Sequence, residues 1–190
     1  MTAAFAGRVA LVTGASGGIG TRLAERLASD GASVALHYAH RAEAVEELAQ
    51  HHPERRELIE AYWLRWHETL GDAIQPTVAV LDELRGTGLR LFALTNWSGE
   101  TFPVARPRFP FLEWFEGIVV SGDERLIKPD PDIFHLLIER YGVDPETTVF
   151  IDDAADNVAA AHALGFRAIR FVDALTLRAD LRRLGVLVGA

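Results

Sequence analysis

The chain has no cysteine at all, which excludes disulfides and thiolate metal sites and fits a reducing compartment. Nor does any apolar run approach the roughly 20 residues of a membrane-spanning helix. The first residues, Met1-Thr-Ala-Ala-Phe-Ala-Gly, lack the basic start and hydrophobic stretch of a secretory leader. Positive charge is in deficit: the formal net charge is -8, which argues against nucleic acid as a partner. What remains is the hydrophobic-to-charged balance of a globular protein, with 49% hydrophobic and 24% charged residues, too apolar for a long disordered tail. A chain of 190 residues can close one sizeable core. The expectation is a soluble, cytoplasmic protein, monomer or homodimer, with 1–190 forming one domain.

The order of patterns is that of an alternating α/β chain. Residues 8–13 are an apolar run stopped by glycines, as in a strand buried on both faces. A glycine-rich turn follows, then a helix over 19–29 with Leu23 and Leu27 on one stripe, Gly31 as its stop, and a strand over 33–38. After a change of character near 48–53 come a helix over 54–70, with Leu58, Tyr62 and Trp66 as a core or lid-packing face, and a helix over 77–85 ended by Gly86 and Gly88. A strand over 89–95 leads into a proline-interrupted aromatic segment, 102–115, that cannot be one helix. Strands over 117–121, 148–152 and 168–171 alternate with helices, of which the first is capped by Asp130 with Pro131 at its first position. The pattern predicts a doubly wound, Rossmann-like parallel sheet in three α/β/α layers, about six strands in the order 4-3-2-1-5-6.

Two turns carry recognisable chemistry. Thr13, Gly14, Gly18, Ile19 and Gly20 match the TGxxxGxG turn of short-chain dehydrogenases and reductases, and residues 1–50 resemble the first βαβ unit of that family. Physically, the glycines, with Ser16 among them, let backbone N–H groups and a helix start approach a pyrophosphate; their other reading is that they only pack helix on strand. His40 and Arg41 after the second strand suit a 2′-phosphate, so the cofactor implied is NADP. The family's Tyr-x-x-x-Lys pair is absent: Tyr38, Tyr62 and Tyr141 are followed four residues on by Ala42, Trp66 and Pro145.

From residue 51 onward TNWS, IKPDPDIF, VFIDDAADN and ALGFRAI resemble, in order and spacing, the haloacid dehalogenase (HAD) superfamily, whose members hydrolyse phosphate esters or carbon–halogen bonds. That resemblance implies that Thr95 and Asn96 hold phosphoryl oxygens, that Lys128 neutralises nucleophile and phosphate, and that Asp152 and Asp153 hold Mg²⁺. Asp153 has a second reading as the cap of the helix that follows. The family's nucleophile is the first aspartate of an Asp-x-Asp at the end of its first strand. Here the first strand runs into Thr13-Gly14-Ala15, and no Asp-x-Asp follows any strand. The sequence therefore suggests a chimera, engineered or recombined, folded but without native turnover, joined from 1–50 and 51–190. Two alternatives stand beside it: a binder of NADP or another small phosphate-bearing ligand through the glycine loop, and a Mg²⁺-dependent HAD-type hydrolase with residual activity.

Overall fold

The computed structural model describes residues 5, 8–13, 18–37, 46 and 49–187, and the chain divides into two compact units, Met1–Leu70 and Gly71–Ala190. The break falls after Leu70, beyond the 48–53 stretch where the sequence changes character.

In the first unit, β1 (Val9–Thr13) and β2 (Ser33–His37) pair in parallel, Val9 opposite Ser33 through Thr13 opposite His37, joined by helix α1 (Gly18–Ser29). This is the βαβ unit the glycine stops predict. The helix expected over 54–70 is a 3₁₀ turn, then α2 (Arg56–Arg65), then a second 3₁₀ turn through Thr69. Its expected packing face is only partly closed, since Leu58 is 67% exposed.

The second unit begins with α3 (Gln75–Gly86), which takes Pro76 in its first turn where the missing N–H costs nothing. Strand β3 (Phe92–Thr95) pairs in parallel with β4 (Gly117–Val120), and between them the proline-rich segment forms short helical turns and no single helix. Helix α4 (Pro131–Tyr141) starts where the Asp130 carboxylate accepts the Asp132 N–H at 3.0 Å. It stops at Gly142, whose φ of 62° is a left-handed conformation that favours glycine. Strand β5 (Val149–Asp152) pairs in parallel with β6 (Arg167–Arg170), around helix α5 (Ala155–Ala163); α6 (Ala174–Arg183) follows.

Strand side chains alternate between two apolar layers, as the pleat requires. Phe92, Leu94, Phe150 and Ala168 face a cluster with Ile133, Phe134 and Leu137 of α4 and Ala161 of α5. Leu91, Val149, Ile151 and Ile169 face another with Val80 and Leu84 of α3 and Leu177 and Leu181 of α6. The expected α/β/α layering of parallel strands is present. Among the described residues the strands form three parallel pairs, β1 with β2, β3 with β4 and β5 with β6. The full order 4-3-2-1-5-6 is not established by these pairs, because its two other adjacencies would each join one unit to the other. No helix among the described residues is long and apolar enough to cross a membrane.

Candidate functional site

Open α/β sheets place their chemistry beyond the carboxyl ends of their strands. In the second unit Thr95 ends β3 with Asn96 following it, Asp152 ends β5 with Asp153 following it, and the segment before α4 brings Lys128 to both strand ends. The Lys128 ammonium donates to the Leu94 carbonyl at 2.5 Å and to Asp152 Oδ2 at 2.7 Å, with its Nζ also 5.8 Å from the centre of the Phe150 ring. Both partners of this ion pair are buried, with side chains 9% and 6% exposed. The backbone of Lys128 is tied down as well: its N–H donates to Asn96 Oδ1 and its carbonyl accepts from Asn96 Nδ2, both at 2.9 Å.

Asp152 is bonded through both of its oxygens. Its other oxygen, Oδ1, accepts from the Ala154 N–H and from Asn157 Nδ2, each at 2.9 Å. Burial by itself pushes this carboxyl up, but the bonds from Lys128, Asn157 and Ala154 together outweigh it and hold the group below the ordinary carboxylate value. A depressed folded value means that the unfolded chain binds the proton more readily, so stability rises with pH across that interval. Asp152 therefore contributes stability that is complete above its unfolded value, about 3.9, and lost as pH falls through the lower folded value. Unfolding titrations from about pH 5 to about pH 2 should show this loss, and Asp152→Asn should flatten it. An unchanged acid limb in that variant would remove the claim.

Asp153 differs from its neighbour. It is exposed, and no hydrogen bond or ion pair reaches its carboxylate from the described residues; only its backbone carbonyl is engaged, accepting from Arg170 Nε at 3.3 Å. The reading of Asp153 as a helix cap is corrected: the cap position of α5 is Ala154, without a side-chain bond. The donated N–H of Ala154 goes to Asp152, because that carboxylate lies under the turn while Asp153 points to solvent.

Thr95 ends β3, half-buried. The role expected of Asn96 meets a different geometry, since its amide is already committed to the backbone of Lys128. Two further residues were not foreseen. Asn157, buried in the first turn of α5, is a direct partner of Asp152. Ser121 donates to the Trp97 carbonyl at 3.2 Å and the Gly122 N–H to the same oxygen at 2.9 Å, locking the loops after β3 and β4 together. A Cβ on Gly122 would stand 2.3 Å from the Gly99 nitrogen, so glycine there is a packing requirement. One signal for the site was present in plain view: Lys128 is the single lysine of the chain, every other member of its 19 Lys and Arg residues being arginine.

Of the residues expected at the glycine loop, Thr13 ends β1 and Gly18, Ile19 and Gly20 open α1. Gly14, Ser16, His40 and Arg41 lie outside the described residues, and with them the basis for NADP.

For Mg²⁺ the donor chemistry fits in kind. Asp152 and Asp153 are adjacent hard oxygen donors, Asp153 open to solvent, and Mg²⁺ commonly takes one or two carboxylates together with waters and substrate oxygens. No group of three or more His, Asp or Glu side chains gathers for a metal among the described residues.

The family model for haloacid dehalogenase-like hydrolases matches residues 8–165. A sesquiterpene phosphatase of Aspergillus oryzae is 30% identical over 106 residues, 56% of this chain and 54% of that protein. A HAD-like family hydrolase of Porphyromonas gingivalis superposes with a TM-score of 0.58 at 27% identity, covering 75% of this chain and 71% of the other. A HAD family enzyme of Bacteroides thetaiotaomicron, an aspartate-to-alanine mutant in complex with magnesium and inorganic phosphate, gives 0.53 at 25% identity over 64% and 68%. The chain spans about half, and in some cases far less, of the length of the curated relatives it matches. The family match spans residues on both sides of 48–53, so a junction between two parents there finds no support, and the hydrolase alternative is backed better than the silent chimera. A family match over most of the chain, with Lys128 bonded to the first of two paired aspartates at the end of β5, establishes that the chain belongs to the haloacid dehalogenase-like hydrolases.

Proposed function

We propose that this chain carries the phosphate-ester site of a Mg²⁺-dependent HAD-type hydrolase, phosphatase-like in its substrate class. The observation that carries the reading is the buried Lys128 ammonium, fixed between the Leu94 carbonyl and Asp152, with an exposed second carboxylate, Asp153, next in the chain. Relatives named as phosphatases and a similar fold crystallised with magnesium and inorganic phosphate support it.

In this reading Lys128 meets the phosphoryl oxygens as a desolvated cation, where charge stabilisation is worth more than in water. Thr95 offers a hydroxyl at the end of β3. Asp153, with Asp152, would hold Mg²⁺, which when bound supplies charge neutralisation at the phosphoryl oxygens. Asn157 and the Ala154 N–H keep the Asp152 carboxylate ionised and oriented. No described strand end offers an Asp-x-Asp, so the reaction left to these residues is attack of water on phosphorus with departure of the ester alcohol. Turnover of that kind lacks a covalent step and is slow. That same missing aspartate favours the competing reading, a folded chain with no turnover.

Hydrolysis of p-nitrophenyl phosphate separates the two. We expect release above the buffer rate with MgCl₂, abolished by EDTA and by Asp153→Asn. Equal, background rates for the chain and that variant would eliminate the turnover reading.

A further inference from the structure

We infer that Asn96 is a positioning residue: it fixes the backbone of Lys128 so that the ammonium stands at one place and in one orientation, and its side chain does not hold the phosphoryl group. The inference rests on the reading of Lys128 as the phosphate-facing cation.

A side-chain amide offers one carbonyl acceptor and one NH₂ donor group. Asn96 turns both toward a residue 32 positions away, accepting the Lys128 N–H and donating to the Lys128 carbonyl. Two antiparallel bonds to one peptide residue form a closed ring, the pattern of a strand pairing reproduced by a side chain. The clamp grips backbone only, so it locates residue 128 without regard to what the side chain is.

The far end of the same residue is gripped independently. An ammonium has three N–H donors. Two are taken, by Leu94 O and Asp152 Oδ2, and the tetrahedral geometry at nitrogen then sets the direction of the third. Yet a four-carbon stem could deliver Nζ to these acceptors from several backbone positions, each tilting the remaining donor differently. Fixing Cα as well removes that freedom before any ligand arrives, which is where preorganisation yields affinity. The choice of lysine fits. The chain uses arginine for every other permanent cation, and a planar guanidinium could not sit as a compact point between a carbonyl and a carboxylate.

The single lysine makes the test direct. Protein grown with 15N-lysine has one side-chain ammonium resonance, and a buried, doubly bonded ammonium should exchange slowly enough with water to be seen. In Asn96→Ala, with the backbone amide spectrum verifying the fold, ammonium exchange should quicken about tenfold and inorganic phosphate, titrated with Mg²⁺, should bind about tenfold more weakly, a loss of the size of one hydrogen bond. Asn96→Asp, which keeps the acceptor for the Lys128 N–H, should retain most of the ammonium protection. Unchanged exchange in Asn96→Ala would overturn the inference. So would loss of phosphate binding with the ammonium signal untouched, which would make Asn96 a phosphate ligand. If exchange quickens in Asn96→Ala but phosphate never perturbs the wild-type resonance, the positioning role holds and the phosphate-site reading falls.

Discussion

Replacing Lys128 by methionine lowers the unfolding free energy by about 3–5 kcal/mol, the usual cost of stripping one partner from a buried ion pair. The magnitude follows from what is left behind. Asp152 Oδ2 loses its only described donor at 2.7 Å, while Oδ1 keeps Ala154 N and Asn157 Nδ2. Without Lys128 the burial that pushes its pKa up is less opposed, and the carboxylate must either stay charged in a site where its side chain is 6% exposed or take up a proton. Lys128→Arg should not restore stability, since the guanidinium is larger and planar where 2.5 and 2.7 Å contacts converge on a single nitrogen. The double substitution Lys128→Met with Asp152→Asn should recover part of the loss, because it removes the uncompensated charge while leaving a side-chain oxygen to accept from Ala154 and Asn157. Urea unfolding measures each variant. A Lys128→Met chain within about 0.5 kcal/mol of wild type would mean that water reaches the pair and that its burial is not the determining feature.

Phe134→Ala should cost a comparable amount, about 3–5 kcal/mol. The side chain is fully buried, and its ring meets Phe150 of β5 edge-on at 5.3 Å and lies 6.3 Å from Phe166. Truncation removes contacts with both at once and leaves a cavity bounded by rigid rings that cannot collapse into it. Phe134 also lies in the first two turns of α4, six residues beyond Lys128, so it seats the helix whose approach carries the site lysine. Phe134→Leu, which keeps most of the volume, should lose less than half as much. A loss below about 1 kcal/mol for the alanine variant in urea unfolding would show that the three rings repack, and would contradict the rigid cluster.

Much of this molecule could be read from local pattern, and the places where reading stopped have physical causes. The start of α4 was legible because Asp130 and Pro131 act within two residues of where they stand. Its end at Gly142 is equally local. Strand β6 came out as Arg167–Arg170, one residue from the stretch expected, because an apolar run marks a strand but not its last hydrogen bond. The paired aspartates were visible as a motif, yet their division of labour was not. Adjacent residues at a strand end point to opposite sides, and nothing local says which side is covered. Asn157 is five positions from Asp152 and closes the VFIDDAADN stretch, yet nothing local assigned it a partner. Its role depends on the turn between β5 and α5 bringing it back over the strand end.

The motifs TNWS, IKPDPDIF and VFIDDAADN carried the family resemblance, and by itself the sequence determined the alternation of strands and helices, the caps that bound them and the apolar faces that layer helices on both sides of parallel strands. Those properties depend on periodicities of two and 3.6 residues and on backbone preferences, which act over a few positions. Only the tertiary structure decided that Asn96, Lys128 and Asp152 form one connected unit, with Asp153 left open beside it. Their separations of 32 and 24 residues along the chain carry no local signal. Contact at such range is set by which strand ends the packed core brings side by side, and that is a property of the whole fold.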